Sequence, residues 1–308
     1  MQLSAEFART LAVVLDEGSL DAAARRLHVT PSAVSQRIKA LEEQVGRVLL
    51  VRSKPVRPTE AAHAVVRYAR QLALLEHDAL RELGAGDPRV TIPLAVNADS
   101  LATWFLAPLA RLTADHPVLF DLHRDDQDFT ASLLEAGTVM GAVTSRAEPV
   151  AGCRVVALGT MRYEAVATPG FVARWLSGSM TARVGNPGTR TGRIAADPHD
   201  LAGAPRVDFD RRDDLQRQWL ERVGVGDETP RHYVPASHDF ATAIRLGLGW
   251  GLLPGFQSES ALAAGELVPL GGPAIDVPLY WQQWNLRSAL LDAVADEVVR
   301  HGRSVLAG

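Results

Sequence analysis

The chain has 308 residues, more than one small core needs and enough for two or three domains of roughly 100–200 residues each. Hydrophobic residues make up 47% and charged residues 22%, a globular balance that excludes a disordered chain, and a net charge of −4 excludes a protein that coats nucleic acid over its whole surface. The charge is uneven: residues 1–58 hold nine Lys/Arg against six Asp/Glu, the rest twenty-three against thirty, and Arg25–Arg57 eight against two. A basic segment on an acidic body points to one anionic partner bound at one place.

The lone cysteine, Cys153, leaves no intrachain disulfide or multi-thiolate metal site and reads as a small buried apolar residue. The first ten residues lack the charged-then-apolar order of a secretion leader, and no run approaches the ~18 apolar residues of a membrane span. The expected compartment is the cytoplasm, with no membrane partner. No internal repeat is visible.

In chain order, Leu3–Gln44 predicts three short helices. Phe7, Leu11 and Val14 share a helical face; Ser19 caps a second helix ending near Leu27; Thr30 caps a third, with Pro31 at its first position. Ala22, Ala23 and Ala24 are small enough for the second helix to cross closely over the third. In that third helix Val34, Ile38, Leu41 and Val45 form an apolar stripe, which leaves Ser32, Ser35, Gln36 and Lys39 outside. Short hydroxyls, an amide and one cation suit base edges and phosphates. Taken alone, the same face is an ordinary solvated one. The segment Gly46–Pro58 then predicts a β-hairpin that carries Arg52, Lys54 and Arg57, cations placed for a DNA backbone or minor groove.

Thr59 is the expected cap of a long helix along which Ala62, Val65, Ala69, Leu72, Ala79 and Leu83 recur at 3–4 spacing, broken at Glu76. Two readings are open: a dimer seam, or a helix packed on its own domain. Residues 84–88 read as a hinge. Beyond it, strands are expected at 90–96, 118–123, 138–143, 153–168, 205–209, 231–236, 250–253 and 277–284. Helices are expected at 100–113, 127–136, 169–176, 212–223, 238–247 and 287–300. The alternation predicts an open, mostly parallel sheet flanked by helices. Ser177–Asp200 reads as a glycine- and arginine-rich loop, and the acidic run Asp121, Asp125, Asp126, Asp128 as a solvated one.

The strings VTPSAVSQRIKALE (Val29–Glu42) and LLVRSKPVRPTEA (Leu49–Ala61) resemble the DNA-binding domain of the LysR-type transcriptional regulators. With LAVNADSLATWFL (Leu94–Leu106), GAVTS (Gly141–Ser145), FDRRDDLQ (Phe209–Gln216) and AGELVPL (Ala264–Leu270), the chain resembles that family's arginine/lysine-responsive ArgP/LysG (IciA-like) branch over nearly its whole length. The resemblance implies a winged helix-turn-helix at 1–58 and a linker/dimerisation helix with hinge at 59–88. It further implies a two-lobed effector domain like a periplasmic binding protein, with lobe I at 89–162 and 269–308 and lobe II at 163–268. The implied protein is a homodimer, paired into tetramers on double-stranded DNA, whose promoter control responds to lysine or arginine. The output would be an amino-acid exporter gene, with RNA polymerase as a further expected partner.

An amino-acid effector needs a receptor for its carboxylate, for which helix N-termini near Ser100, Thr144 and Ser145 are candidates. Its amino and basic groups need acidic receptors, for which Asp99, Asp210 and Asp239 are candidates. Each of Asp99, Ser100 and Asp239 could equally be a helix cap. Enzyme readings find no support: HExxH, GxSxG and GxxxxGK[ST] are all missing. Gly247-Leu-Gly-Trp-Gly251 sits between an expected helix and strand, the wrong order for a phosphate loop. No cofactor or metal is expected, and His238-Asp239 is a lone pair. The alternatives kept are an architectural protein of a replication origin, and an α/β binding protein or enzyme.

Overall fold

The computed structural model of the chain describes residues 3–85, 89–124, 130–176 and 198–307. Three expectations therefore lie wholly or largely outside the described residues: the hinge at 86–88, the acidic Asp125, Asp126 and Asp128, and the loop over Ser177–Asp200 up to 197. The chain forms two compact units. The first is Met1–Asn97, Ala107–Leu158 and Tyr280–Ser304; the second is Ala98–Leu106, Gly159–Leu279 and Val305–Gly308. No described helix is long and apolar enough to cross a membrane.

The first unit opens with α1 (Ala5–Glu17), α2 (Leu20–Arg26) and α3 (Pro31–Val45). Ser4, Ser19 and Thr30 cap them by accepting from the amides of Phe7, Ala22 and Ala33, and Gly18 and Gly46 end α1 and α3 at positive φ. Ala23 and Ala24 are buried between α2 and α3, and Val34, Ile38 and Leu41 fill the core below. The hairpin is short: β1 (Leu50–Val51) pairs antiparallel with β2 (Arg57–Pro58). Thr59 precedes α4 (Glu60–Glu82) but does not cap it with its side chain; its hydroxyl donates to the Val48 carbonyl at 2.8 Å, tying the hairpin's start to the helix.

The seam expected on α4 splits in two. Ala62, Val65 and Ala69 are buried in the chain's own N-terminal core, so for these three the dimer reading is corrected. Helix α1 lies against that stretch and covers them. Farther along, Leu74 is still buried, but Leu75 is 42% and Leu83 79% exposed, with Ala79 exposed and Leu72 half-buried. Glu76, the break in the pattern, pairs with Arg9.

In the same unit β3 (Val90–Val96) runs parallel to β4 (Val118–Arg124) and to β5 (Gly141–Thr144). Helices α6 (Leu106–Asp115), α7 (Thr130–Glu135) and α13 (Ala289–Val305) accompany them. The second unit holds α5 (Ala98–Thr103), α8 (Pro169–Trp175), α9 (Pro198–Gly203) and α10 (Leu215–Arg222). Its remaining helices are α11 (Ser237–Arg245) and α12 (Gly255–Ala263). Its strands are β7 (Arg206–Asp208), β8 (Arg231–Tyr233), β9 (Gly251–Pro254) and β10 (Val268–Pro269). Two long strands, β6 (Cys153–Ala167) and β11 (Ile275–Trp284), each begin in one unit and end in the other.

The sheets are mixed rather than mostly parallel: β11 pairs antiparallel with β5, and β6 antiparallel with β9 and β10, while β7 and β8 are parallel. The single helix expected at 100–113 is two, α5 and α6. Pro108 cannot donate to the carbonyl four residues back, so a helix containing it must restart within the preceding turn. Trp104 and Phe105 occupy the break, both buried, with their rings edge to face at 5.6 Å. Helix α12 was not foreseen. It is buried through Gln257, Ser258 and Ala261, polar or small residues that make no amphipathic stripe. Gly247–Gly251 is the tight turn expected: Gly247 has φ 78°, and a side chain on Gly249 would meet the Pro205 carbonyl at 2.9 Å. Cys153, expected buried, is only half-buried; burial still pushes its thiol up to about 11.

Candidate nucleic-acid interface and effector site

Helix α3 turns its aliphatic side into the core and leaves Pro31, Ser32, Ser35, Gln36 and Lys39 exposed. Lys39 lies 3.9 Å from Glu43, a loose contact between two exposed side chains, while Arg37 is engaged by Glu6 at 2.6 Å. The polar row is therefore accessible, and its rotation about the helix axis is fixed by Val34, Ile38 and Leu41. The hairpin presents Arg52, Lys54 and Arg57, all exposed, and none has an ion-pair partner among the described residues. Unpaired cations beside an exposed polar helix face can neutralise phosphates while the helix meets base edges.

The second unit holds an acidic centre around Asp99, in the first turn of α5. Its two carboxylate oxygens accept from the Tyr163 hydroxyl at 2.7 Å and from the Ser237 hydroxyl at 2.6 Å. Ser237, at the start of α11, in turn accepts from the Gln257 amide at 2.8 Å. Burial, and then the neighbouring Asp99 carboxylate, hold the Tyr163 phenol well above its ordinary range, so it stays a donor. Asp213 lies close enough for the two carboxylates to repel. Its oxygens accept from the Phe209 amide at 2.9 Å and the Leu215 amide at 3.1 Å. Burial, reinforced by Asp208 and Asp99, nevertheless raises its carboxyl to about 6. Asp99 thus carries two uncharged donors and an acidic neighbour, an arrangement suited to receiving a cation.

The remaining expected residues are placed differently. Ser100, one residue along, is fully buried, with a hydroxyl that meets no partner among the described residues. Asp210 shapes its own loop: burial, the largest single influence, pushes its carboxyl up, but the amides of Arg212 and Asp213, which it accepts from, and the Arg212 guanidinium together outweigh that and hold it below the usual carboxylate range. Asp239 is exposed on α11 and makes no capping bond. Thr144 ends β5 in the first unit, fully buried; its hydroxyl exchanges hydrogen bonds with the Arg146 backbone and accepts from Gln282. No helix follows Thr144 and Ser145, so the helix N-terminus expected there is corrected to a loop. Tyr163, Asp213 and Gln257 were not anticipated. Asp213 stands in the same FDRRDD run as Asp210 and shares its composition, and only the loop's path tells them apart.

Residues 6–63 match the model of the bacterial regulatory helix-turn-helix protein, lysR family, and residues 85–303 that of the LysR substrate binding domain. The HTH-type transcriptional regulator LysG of Mycobacterium tuberculosis is 46% identical over 300 residues, covering 96% of this chain and 93% of its own. The crystal structure of ArgP from Mycobacterium tuberculosis is similar across 100% of both chains, with 45% identity and a TM-score of 0.82. Full-length LysG from Corynebacterium glutamicum, solved with its effector Arg bound, is similar over 99% of this chain and 100% of its own, with 38% identity and a TM-score of 0.73. These relatives are regulators of transcription rather than enzymes, and their likeness runs through both the helix-turn-helix and the effector domain. By matches that together span most of its length, this chain belongs to the LysR family of bacterial helix-turn-helix transcriptional regulators.

Proposed function

We propose that the chain is a cytoplasmic, ligand-gated regulator that reads duplex DNA with the exposed face of α3 and its basic hairpin, and senses a basic amino acid at Asp99. Lysine and arginine are the effectors this reading names. No cofactor is involved. The observation that carries the sensing half is the Asp99 carboxylate, held by the hydroxyls of Tyr163 and Ser237 with Asp213 nearby. A cationic group entering there gains charge-assisted hydrogen bonds and relieves the repulsion between the two carboxylates. The bound arginine of the Corynebacterium glutamicum protein supports this choice of ligand class. Effector can shift DNA binding only by binding one conformation better than another.

The same reading assigns dimerisation to the exposed part of the α4 stripe, Leu72, Leu75, Ala79 and Leu83, so that two α3 helices meet half-sites about one helical turn apart. Pairing of dimers on DNA, contact with RNA polymerase and control of an amino-acid export gene follow as its outputs.

Calorimetric titration tests the proposal with arginine, lysine and citrulline, which copies arginine's shape without its charge. Arginine or lysine binds and citrulline does not. Asp99→Asn weakens the charged ligand by about 1.5–3 kcal/mol, the worth of a hydrogen bond to a charged group. Citrulline binding as well as arginine, or Asp99→Asn binding like the parent, overturns it.

A further inference from the structure

Helices α5, α11 and α12 line a half-open cavity of about 250 Å³ within the second unit. Its lining includes Thr103, His238, Thr242, Arg245, Phe256 and Gln257, and no carboxylate. The Arg245 guanidinium is anchored by one N–H, which donates to the Gln257 carbonyl at 2.9 Å; its remaining N–H groups have no partner among the described residues. The hydroxyl protons of Thr103 and Thr242 are committed to the carbonyls of Asp99 and His238, so their oxygens are left only as acceptors. Gln257 is 8% exposed; its amide donates to Ser237, and its side-chain oxygen Oε1 has no partner among the described residues.

The geometry points to a second small-molecule site in this cavity, for a compact carboxylate that carries a hydrogen-bond donor beside it: an α-hydroxy or α-amino acid. The carboxylate sits on Arg245, whose planar fork matches it in two bonds, with the His238 imidazole at the same wall. The adjacent O–H or N–H donates to the oxygen of Thr103 or Thr242, and the exposed ring of Phe256 covers the apolar part. The cavity has room for a molecule of a few carbons. Because the Gln257 amide holds Ser237, and Ser237 holds Asp99, an occupant here sits two hydrogen bonds from the acidic centre. The inference does not depend on Asp99 binding a basic amino acid.

Titration of the full-length protein with lactate, alanine, acetate and inorganic phosphate, at constant ionic strength set with chloride, tests it. Lactate or alanine binds at least about tenfold more tightly than acetate, which lacks the donor, and than phosphate. Which of the two binds decides between the hydroxy and the amino acid. Arg245→Gln, at an exposed position that leaves the fold intact by circular dichroism, loses that binding; Thr242→Val weakens it; Asp99→Asn retains it. Acetate or phosphate binding as well as lactate and alanine, no binding by any of them, or parent-like binding by Arg245→Gln, overturns the assignment.

Discussion

At the residue scale, Asp213 and Asp210 show how little composition says about a carboxylate's role. They sit three apart in one acidic run. Asp210 folds back on the amides of its own turn and ionises easily, while Asp213 is buried, with Asp208 and Asp99 adding to the effect, and resists ionisation. The pH consequence follows from sign. A carboxyl near 3.9 when unfolded and about 6 when folded stabilises the fold fully below the lower value and loses that contribution as pH rises through the upper. At neutral pH the ligand-free protein therefore carries a penalty on the order of 3 kcal/mol at most, since each pH unit separating the two values is worth about 1.4 kcal/mol. A cation at the site favours the ionised form, so arginine affinity runs the other way, rising between pH 5 and 7 and levelling above. Titrations at pH 5.5 and 7.5 check this, and Asp213→Asn should flatten both trends. A parent whose affinity is independent of pH over that range would separate Asp213 from the effector site.

At the element scale, α4 is one helix whose two ends differ in burial. Val65, 4% exposed, belongs to the core with α1, whereas Leu75, 42% exposed, is left open to solvent by its own chain. Val65→Ala should cost about 1–3 kcal/mol in stability through reduced burial and a residual cavity, with the sedimenting mass unchanged. Leu75→Glu should do the reverse, leaving the melting midpoint of the separated chains near the parent's while shifting the species in analytical ultracentrifugation toward monomer. Equal dimerisation by Leu75→Glu would remove this stripe from the interface. Helix α3 is simpler. Its proline start, threonine cap and aliphatic stripe were legible because each acts within four residues. Helix α12 was not, because its buried side chains are glutamine, serine and alanine, and the glutamine finds its partner twenty positions away.

At the scale of the whole molecule, the basic face is confined to the N-terminal domain of an otherwise acidic protein, which separates two kinds of DNA contact. Replacing Arg52 or Lys54 with glutamine should weaken binding to every duplex alike and lower the slope of log affinity against log salt by about one for each phosphate no longer neutralised. Gln36→Ala should leave that slope in place and cost about 1–3 kcal/mol on the operator alone. Mobility shifts on operator and scrambled duplexes at several salt concentrations distinguish them, and a Gln36→Ala protein that binds operator like the parent would show that α3 does not read bases through this amide.

Sequence by itself determined the three capped helices, the exposed row Ser32, Ser35, Gln36 and Lys39, the basic hairpin and the alternating body, because caps, turns and periodic burial are set by neighbours a few residues away. Only tertiary structure decided that Ala62, Val65 and Ala69 face their own domain, that the sheets are mixed, and that Asp99 is joined by Tyr163, Ser237 and Asp213 rather than by Asp210 or Asp239. Those outcomes depend on side chains 64 and 138 positions apart meeting across packed elements, and no local pattern encodes which carboxylate ends up beside which hydroxyl.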